Sequence, residues 1–162
     1  MLGGGATVTV PRLDIDFVTA ALRRRLRHPV SPTGIHTEFT RVVIDSREVK
    51  RGDLFVALRG ERVDGHDYAA AAVQAGAAGV LVSRAVPEIA DMPIFLVDDT
   101  LAALQDLGAA WRAVLPLEII GVTGSVGKTT TKAITAAILA ARFRVQANPL
   151  NYNNQISVPL CL

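Results

Sequence analysis

The sequence is poor in cysteine and aromatic residues, and each scarcity limits what the chain can do. A single cysteine, Cys161, excludes an internal disulfide and suits a reducing compartment. One tryptophan, two tyrosines and five phenylalanines are the only aromatic residues, and the net charge is +2. A nucleic-acid-binding surface needs more basic charge with aromatic residues among it. We therefore expect no nucleic-acid partner, and we interpret the cluster Arg23, Arg24, Arg25 and Arg27 as a solvated helix face.

Long apolar segments are also missing. The first residues, MLGGGATVTVPRLDIDF, lack the positive start and apolar run of a signal peptide. The uncharged stretch from Tyr68 to Ser83 is shorter than the ~20 apolar residues of a membrane helix, and Gly76 and Gly79 interrupt it. We therefore expect a cytoplasmic chain without membrane insertion.

The first 116 residues alternate predicted helices and strands. Half of the residues in the chain are hydrophobic, which is enough for a packed core. Short β-branched runs predict strands at VVI, LFVAL, GVLVS and IFLVDD. Helical spacing predicts two buried stripes: Ile15, Val18, Leu22 and Leu26 in one helix, and Leu101, Leu104, Leu107 and Trp111 in another. This order predicts a small α/β domain over residues 1–116, with a mixed or mostly parallel sheet.

Polar residues, glycines and prolines predict the helix ends. Pro29 is expected to end the first helix, and Gly76 is expected to end the alanine-rich helix before it. The predicted helix caps are, in chain order, Asp14 or Asp16, Asp67, and Asp99 or Thr100.

A second unit is predicted after Pro116. LEIIGV predicts a buried strand, TGSVGK a turn, TTTKAITAAILAA a helix, and FRVQA a following strand. Strand, loop, helix and strand in this order open a P-loop-type domain with a parallel sheet. We therefore place a domain boundary near Pro116 and assign residues 117–162 to the beginning of an ATP-binding domain.

The turn in this unit has the composition of a phosphate loop. Backbone N–H groups at a helix N-terminus bind phosphate oxygens, and Gly124 and Gly127 would let the backbone approach them closely. Lys128 would reach the outer phosphates, and the Thr129 hydroxyl would bind Mg²⁺. The strict G-x-x-x-x-G-K-[ST] spacing fails at Val122, whereas the shorter form T-G-x-x-G-K-T fits. The predicted nucleotide-binding residues are Thr123, Gly124, Ser125, Val126, Gly127, Lys128, Thr129 and Thr130.

Three segments in order resemble the Mur ligases. GVTGSVGKTT resembles their phosphate loop, and NYNNQISVPLCL resembles an N-x-N-N-x-I-G-x-P stretch of the family. DSREVKRGDLFVALRGERVDGHDYAAAAVQAGAAGVLVS resembles the domain that binds the UDP-linked substrate. The sequence departs from the pattern at Ser157, where the family usually has glycine. The resemblance covers roughly residues 40–162.

The resemblance implies an activity. It implies a ligase that uses ATP and Mg²⁺ to convert the carboxylate of UDP-N-acetylmuramoyl-tripeptide to an acyl phosphate and couples it to D-alanyl-D-alanine, in peptidoglycan precursor synthesis. Lys128 would be catalytic by neutralising the γ-phosphate. Two alternatives to this activity remain. One is a related ligase that uses another amine, and the other is a non-catalytic module that binds a UDP-sugar. Because the family has three domains, we expect a fragment that is inactive alone and prone to self-association through its incomplete sheet.

Six residues are candidates for substrate binding: Asp45, Ser46, Arg47, His66, Asn151 and Asn154. The first three follow a strand, where open α/β sheets bind ligands. The resemblance favours their contact with a diphosphate over a plain turn. His66 either touches the UDP moiety or caps the next helix. The resemblance places Asn154 beside the nucleotide and the reacting end of the substrate, and the alternative is an asparagine-rich turn.

Overall fold

A computed structural model describes residues 11–30, 37–60, 63–89, 91–148 and 154–161. The helices and strands are, in chain order, α1 (Ile15–Leu22), β1 (Val42–Val43), β2 (Leu54–Val56), α2 (Ala69–Gln74), β3 (Gly79–Val82), β4 (Ile94–Leu96), α3 (Thr100–Val114) and α4 (Lys128–Ala140). Short 3₁₀ helices lie at Ser46–Glu48, Gly65–Tyr68 and Pro159–Cys161. Within these described ranges, no helix is long and apolar enough to cross a membrane.

The four strands form one parallel sheet in the order β1-β2-β3-β4. Leu54 of β2 pairs with Val42 on one side and Gly79 on the other, and Leu81 of β3 pairs with Phe95 of β4. The predicted α/β class is confirmed, and the named strands are parallel throughout. Parallel strands place all their carboxyl ends at one edge, which is where ligands bind in open sheets.

The sheet is covered on both faces. Leu54, Val56 and Leu81 point to one face, where they pack with α1 and α3. Phe55 and Val80 point to the other face and pack with alanines of α2. Side chains alternate across a strand, so consecutive residues of β2 enter different halves of the core. The three residues of β2 are fully buried, as expected for a central parallel strand.

Helix α1 is shorter than predicted. Asp14 caps it as expected, since its side chain accepts a hydrogen bond from Phe17 N–H. The helix ends at Leu22 instead of continuing toward Pro29. The following chain forms an antiparallel bridge from Leu26 to Val97. Leu26 N–H still donates to the carbonyl oxygen of Leu22, and the chain then leaves the helix as Arg27 N–H donates to the carbonyl oxygen of Leu96 in β4.

The predicted stripe on α3 is only partly buried. Asp99 caps the helix by accepting hydrogen bonds from two backbone N–H groups. Leu104 and Leu107 are buried, whereas Leu101 and Trp111 are half-buried. Trp111 packs edge-on against Phe17, with the ring centroids 5.2 Å apart. The expectation that Trp111 lies in the core was wrong, because it lies near the end of α3 against α1.

The predicted cap of α2 was also wrong. Asp67 does not cap α2, whose N-cap residue, Tyr68, makes no side-chain hydrogen bond. The chain enters α2 through the 3₁₀ helix Gly65–Tyr68, which is capped by Asp64, and Asp67 pairs with Arg84 instead. The helix ends before Gly76 (φ +111°), as predicted.

The two strands predicted in the second unit are not formed in the described part of the chain. Residues 117–122 and 143–147 carry no strand hydrogen bonds. Ile119 and Ile120 are more than half exposed, as is Phe143. A strand requires a neighbour for its backbone groups, and no described segment pairs with either one.

Candidate functional site

The predicted phosphate loop leads directly into α4, which begins at Lys128. Gly124 and Gly127 have φ of +151° and +80°, in the region that favours glycine. Thr131 N–H donates to the carbonyl oxygen of Gly127 at 2.9 Å. The N–H groups of residues 128–130 therefore have no acceptor within the helix and are available to an anion.

The side chain of Lys128 folds back onto the loop. Its ammonium group donates a hydrogen bond to the carbonyl oxygen of Gly124. Thr123 and Ser125 are exposed beside it, and Val126 at the tip is 92% exposed. The loop thus combines a cation with the positive end of a helix, which is the arrangement that binds nucleotide phosphates.

The first turn of α4 carries Thr129, whose hydroxyl the sequence predicts as a ligand to Mg²⁺. Thr129 and Thr130 are both exposed. Among the described residues, no group of three or more His, Cys, Asp or Glu side chains could hold a metal ion. A hydroxyl oxygen fits Mg²⁺ as one ligand of several, with the remaining places left for phosphate oxygens and water.

Asp45, Ser46 and Arg47 lie at the carboxyl end of β1. The carboxylate of Asp45 caps the short helix Ser46–Glu48 and accepts from the guanidinium of Arg47, with Nε at 2.9 Å. These hydrogen bonds lower the pKa of Asp45 to about 2. Arg47 remains 86% exposed. Its charge is therefore partly neutralised by Asp45, while its outer surface is open to a ligand.

His66 is buried, and both of its ring nitrogens are occupied. Ser83 N–H donates to Nε2 at 2.8 Å, so Nε2 is the acceptor. Nδ1 must then carry the proton that bonds to Asp64. Hydrogen bonds from His66, together with the charge of Arg84, lower the pKa of Asp64. The ring connects the Gly65–Tyr68 turn to the end of β3, and direct contact with a ligand would require breaking one of these bonds.

A cavity of about 320 Å³ opens at the carboxyl ends of β2, β3 and β4. It is lined by Leu58, Arg59, Ser83, Asp98, Asp99, Thr100, Leu101 and Ile156. Asp98 pairs with Arg27, and Asp99 caps α3, so both carboxylates are engaged. Arg59 has no ion-pair partner among the described residues, which leaves one positive charge for an anionic group.

Asn154 forms a compact turn with Ser157. Its Oδ1 accepts hydrogen bonds from the backbone N–H groups of Ile156 and Ser157 at 3.0 and 2.8 Å. The turn packs on α3, where Gln105 donates to the carbonyl oxygen of Gln155. Asn151 lies outside the described residues.

Comparison with known proteins decides the family. A profile described as Mur ligase family, catalytic domain, matches residues 38–112, and one described as Mur ligase middle domain matches residues 122–162. The chain belongs to the Mur ligase family. The Synechocystis sp. ligase named UDP-N-acetylmuramoyl-tripeptide--D-alanyl-D-alanine ligase is 48% identical over 122 residues, 75% of this chain and 27% of the relative. The enzyme of the same name from Bacillus subtilis is 46% identical over 74% of this chain and 26% of its own.

Solved Mur ligases share the fold. A crystal structure of MurF from Acinetobacter baumannii has a TM-score of 0.79 and 33% identity, and it aligns over 94% of this chain and 33% of that one. MurF from Thermotoga maritima, in complex with ADP, has a TM-score of 0.67 and 38% identity over 74% of this chain and 28% of that one. The chain spans about a quarter of the length of the curated Mur ligases that it matches.

Two features of this Mur ligase chain were missed from the sequence. The cavity beside Arg59 and Ser83 was not predicted, although Ser83 directly follows β3 and Arg59 lies three residues after β2. Lys132 was also overlooked, and its ammonium group donates to the carbonyl oxygen of Asn148 at 2.8 Å. Its place one helical turn after Lys128, on the same helix face, was the available signal.

Proposed function

We propose that this chain is part of an ATP-dependent Mur ligase that joins D-alanyl-D-alanine to UDP-N-acetylmuramoyl-tripeptide. The observation that carries the proposal is the phosphate loop, with two glycines at positive φ, Lys128 folded over it and exposed N–H groups on α4. The relatives supply the substrate assignment, because those compared above are named for this reaction. The proposed domain boundary lies near Pro116, just after the end of α3.

The proposed roles follow from the chemistry of each group. Bound ATP would supply the phosphoryl group that activates the substrate carboxylate. Residues 123–130 would hold the nucleotide, with Lys128 placing positive charge where negative charge accumulates during transfer. Thr129 would provide one oxygen ligand to Mg²⁺. The backbone N–H groups of residues 128–130 lie together at the start of α4, so one phosphate group would accept from several of them.

The UDP-linked substrate is proposed to bind at the carboxyl edge of the sheet. Ser46 and Arg47 would contact the diphosphate, and the cavity lined by Arg59 and Ser83 extends the same edge. His66 would act by holding the Asp64 turn against the end of β3. Asn151 and Asn154 would contribute amide groups from the asparagine-rich segment.

The nucleotide proposal is tested by ATP titration of the chain in the presence of Mg²⁺. Lys128→Ala should weaken ATP binding by about 1.5–3 kcal/mol, since a hydrogen bond from a charged group is lost. Lys50→Ala, the same change in the first region of the chain (residues 1–116), is the control and should leave the affinity unchanged. Failure of the unmodified chain to bind ATP would overturn the proposal.

The substrate proposal is tested by calorimetric titration with UDP. Arg47→Ala should weaken binding by about 1.5–3 kcal/mol. Asp45→Asn removes the negative charge that competes for Arg47 and should leave UDP affinity the same or raise it. If Arg47→Ala binds UDP as the unmodified chain does, the triplet is only a turn.

A further inference from the structure

The oxygen of the Asn154 side chain is fully used inside the protein. Besides the backbone N–H groups of Ile156 and Ser157, the hydroxyl of Ser157 lies 2.9 Å from Oδ1. A backbone N–H can only donate, so the atom facing these groups must be the amide oxygen and not the nitrogen. Among the described residues, none accepts a hydrogen bond from Nδ2 of Asn154.

The hydroxyl of Ser157 holds both the backbone and the side chain of Asn154. It accepts from Asn154 N–H at 3.1 Å and donates to Oδ1. Ser157 is 8% exposed, so water does not easily replace these bonds. Glycine or alanine at this position would leave Asn154 N–H without its acceptor and Oδ1 with two donors instead of three.

The turn as a whole is fixed to the first region. Ile156 and Leu160 pack against the core face formed by α1 and α3. Pro159 lies against Gly108 so closely that a Cβ on Gly108 would be 2.8 Å from the Cβ of Pro159. Rotation of the turn would break these contacts, so the orientation of Asn154 is set by the fold.

We propose that Ser157 is a positioning residue that makes Asn154 a hydrogen-bond donor to an anionic oxygen of the bound ligand. With three donors on Oδ1, Asn154 has no oxygen to offer a cation, whereas both N–H bonds of Nδ2 are available. The matching acceptor is a phosphoryl or carboxylate oxygen. ATP and the UDP-linked peptide both carry such oxygens, and the ligand side of this inference rests on the proposed function.

Positioning is tested without any ligand, by amide hydrogen exchange measured by NMR. Ser157→Ala should speed exchange at Asn154 N–H by about tenfold, as expected for loss of a protecting hydrogen bond. Asn154→Ala should do the same at Ile156 and Ser157. Gln155→Ala is the control, because only its backbone carbonyl is used in the turn. Unchanged exchange at Asn154 in Ser157→Ala would overturn the positioning role.

The donor role is tested with Asn154→Asp, which keeps an oxygen for the three internal donors and replaces the amide NH₂ with a second oxygen. Exchange at Ile156 and Ser157 should remain slow, so the turn is preserved. Affinity for the ligand that Asn154 contacts should fall at least about tenfold, because a donor becomes a negatively charged acceptor. Ser157→Ala should give a smaller loss, and Gln155→Ala none.

Separate titrations with Mg²⁺-ATP and with UDP-N-acetylmuramoyl-tripeptide identify which oxygen is recognised. A loss confined to one ligand supports the donor role and assigns it to that ligand. Equal affinities of Asn154→Asp and the unmodified chain for both ligands would overturn the donor role. If neither ligand binds the unmodified chain, the proposed function fails and the donor role with it, while the exchange rates still decide the role of Ser157.

Discussion

The two regions of the molecule use similar residues in different ways. In the first region, the sheet is enclosed by helices, and Phe55, Phe95 and Leu104 are almost completely buried. Helix α4 also carries large apolar side chains, yet none of its residues is buried. Ile134 and Ile138 on α4 are 55% and 68% exposed. Hydrophobic composition therefore does not determine where the core forms, because burial also requires a neighbouring element.

The difference implies that the regions are stabilised by different interactions. The first region is held by burial of apolar surface on both faces of the sheet. Helix α4 is stabilised by local interactions. These are the favourable helix propensity of its alanines, the Gly127 turn and the hydrogen bond from Lys132 to the carbonyl oxygen of Asn148. Helices of this length are marginal in water without tertiary packing. We expect the first region to unfold cooperatively and α4 to contribute little to that transition.

The sharpest test compares Leu104→Ala with Ile138→Ala. Leu104 is 1% exposed, so its truncation should destabilise the first region by about 2–5 kcal/mol. Ile138→Ala should change the same transition by less than about 0.5 kcal/mol. Urea unfolding followed by the fluorescence of Trp111, the only tryptophan, measures both. Similar destabilisation by the two variants would show that α4 belongs to the same cooperative unit.

A smaller effect is expected from Gly108→Ala. Alanine is a better helix former than glycine by up to ~1 kcal/mol, but the new Cβ would collide with Pro159. Neither the proline ring nor its backbone yields easily, so we expect a net loss of about 1–3 kcal/mol and faster amide exchange over residues 154–160. Gly121→Ala is the matched control, because a Cβ there meets no atom within 4 Å. A stabilised Gly108→Ala variant would mean that the docked segment moves aside at low cost.

The smallest effect concerns the Asp45–Arg47 pair. The folded pKa of Asp45, about 2, lies below its usual value of 3.8. The pair therefore stabilises the fold above about pH 4, and this contribution is lost as the pH falls through 2. Because Arg47 is 86% exposed, we expect less than about 1 kcal/mol. A carboxyl ¹³C NMR titration should show the Asp45 pKa returning toward its usual value in Arg47→Ala, and an unchanged titration would contradict this.

Much of the first region could be predicted because local signals and burial agree there. Each β-branched run became a strand, and the caps at Asp14 and Asp99 formed as expected. The errors arose where a distant partner competed with a local preference. At Leu26 the chain bridges to Val97, next to the end of β4, instead of continuing α1 toward Pro29, and Asp67 pairs with Arg84 instead of capping α2.

The candidate site was predictable to different degrees in the two regions. The phosphate loop is contiguous in sequence, so its glycines and the start of α4 could be located directly. The cavity at the sheet edge combines Arg59, Ser83 and Ile156, which come together only through folding. The binding roles of Asp45, Ser46, Arg47, His66 and Asn154 stay predictions.

Because residues 154–161 dock on α3, the phosphate loop lies in a segment of the chain that is anchored to the first region at both ends. The backbone leaves the first region at Leu115 and is in contact with it again at Gln155. Two anchor points restrict the movement of α4 more than a single one would. The entropy cost of closing this loop is met once, when the chain folds. A single protease cut between the anchor points would leave both ends attached while releasing this restraint. If residues 123–130 bind nucleotide as proposed, such a nick should lower the affinity for ATP without removing any of them.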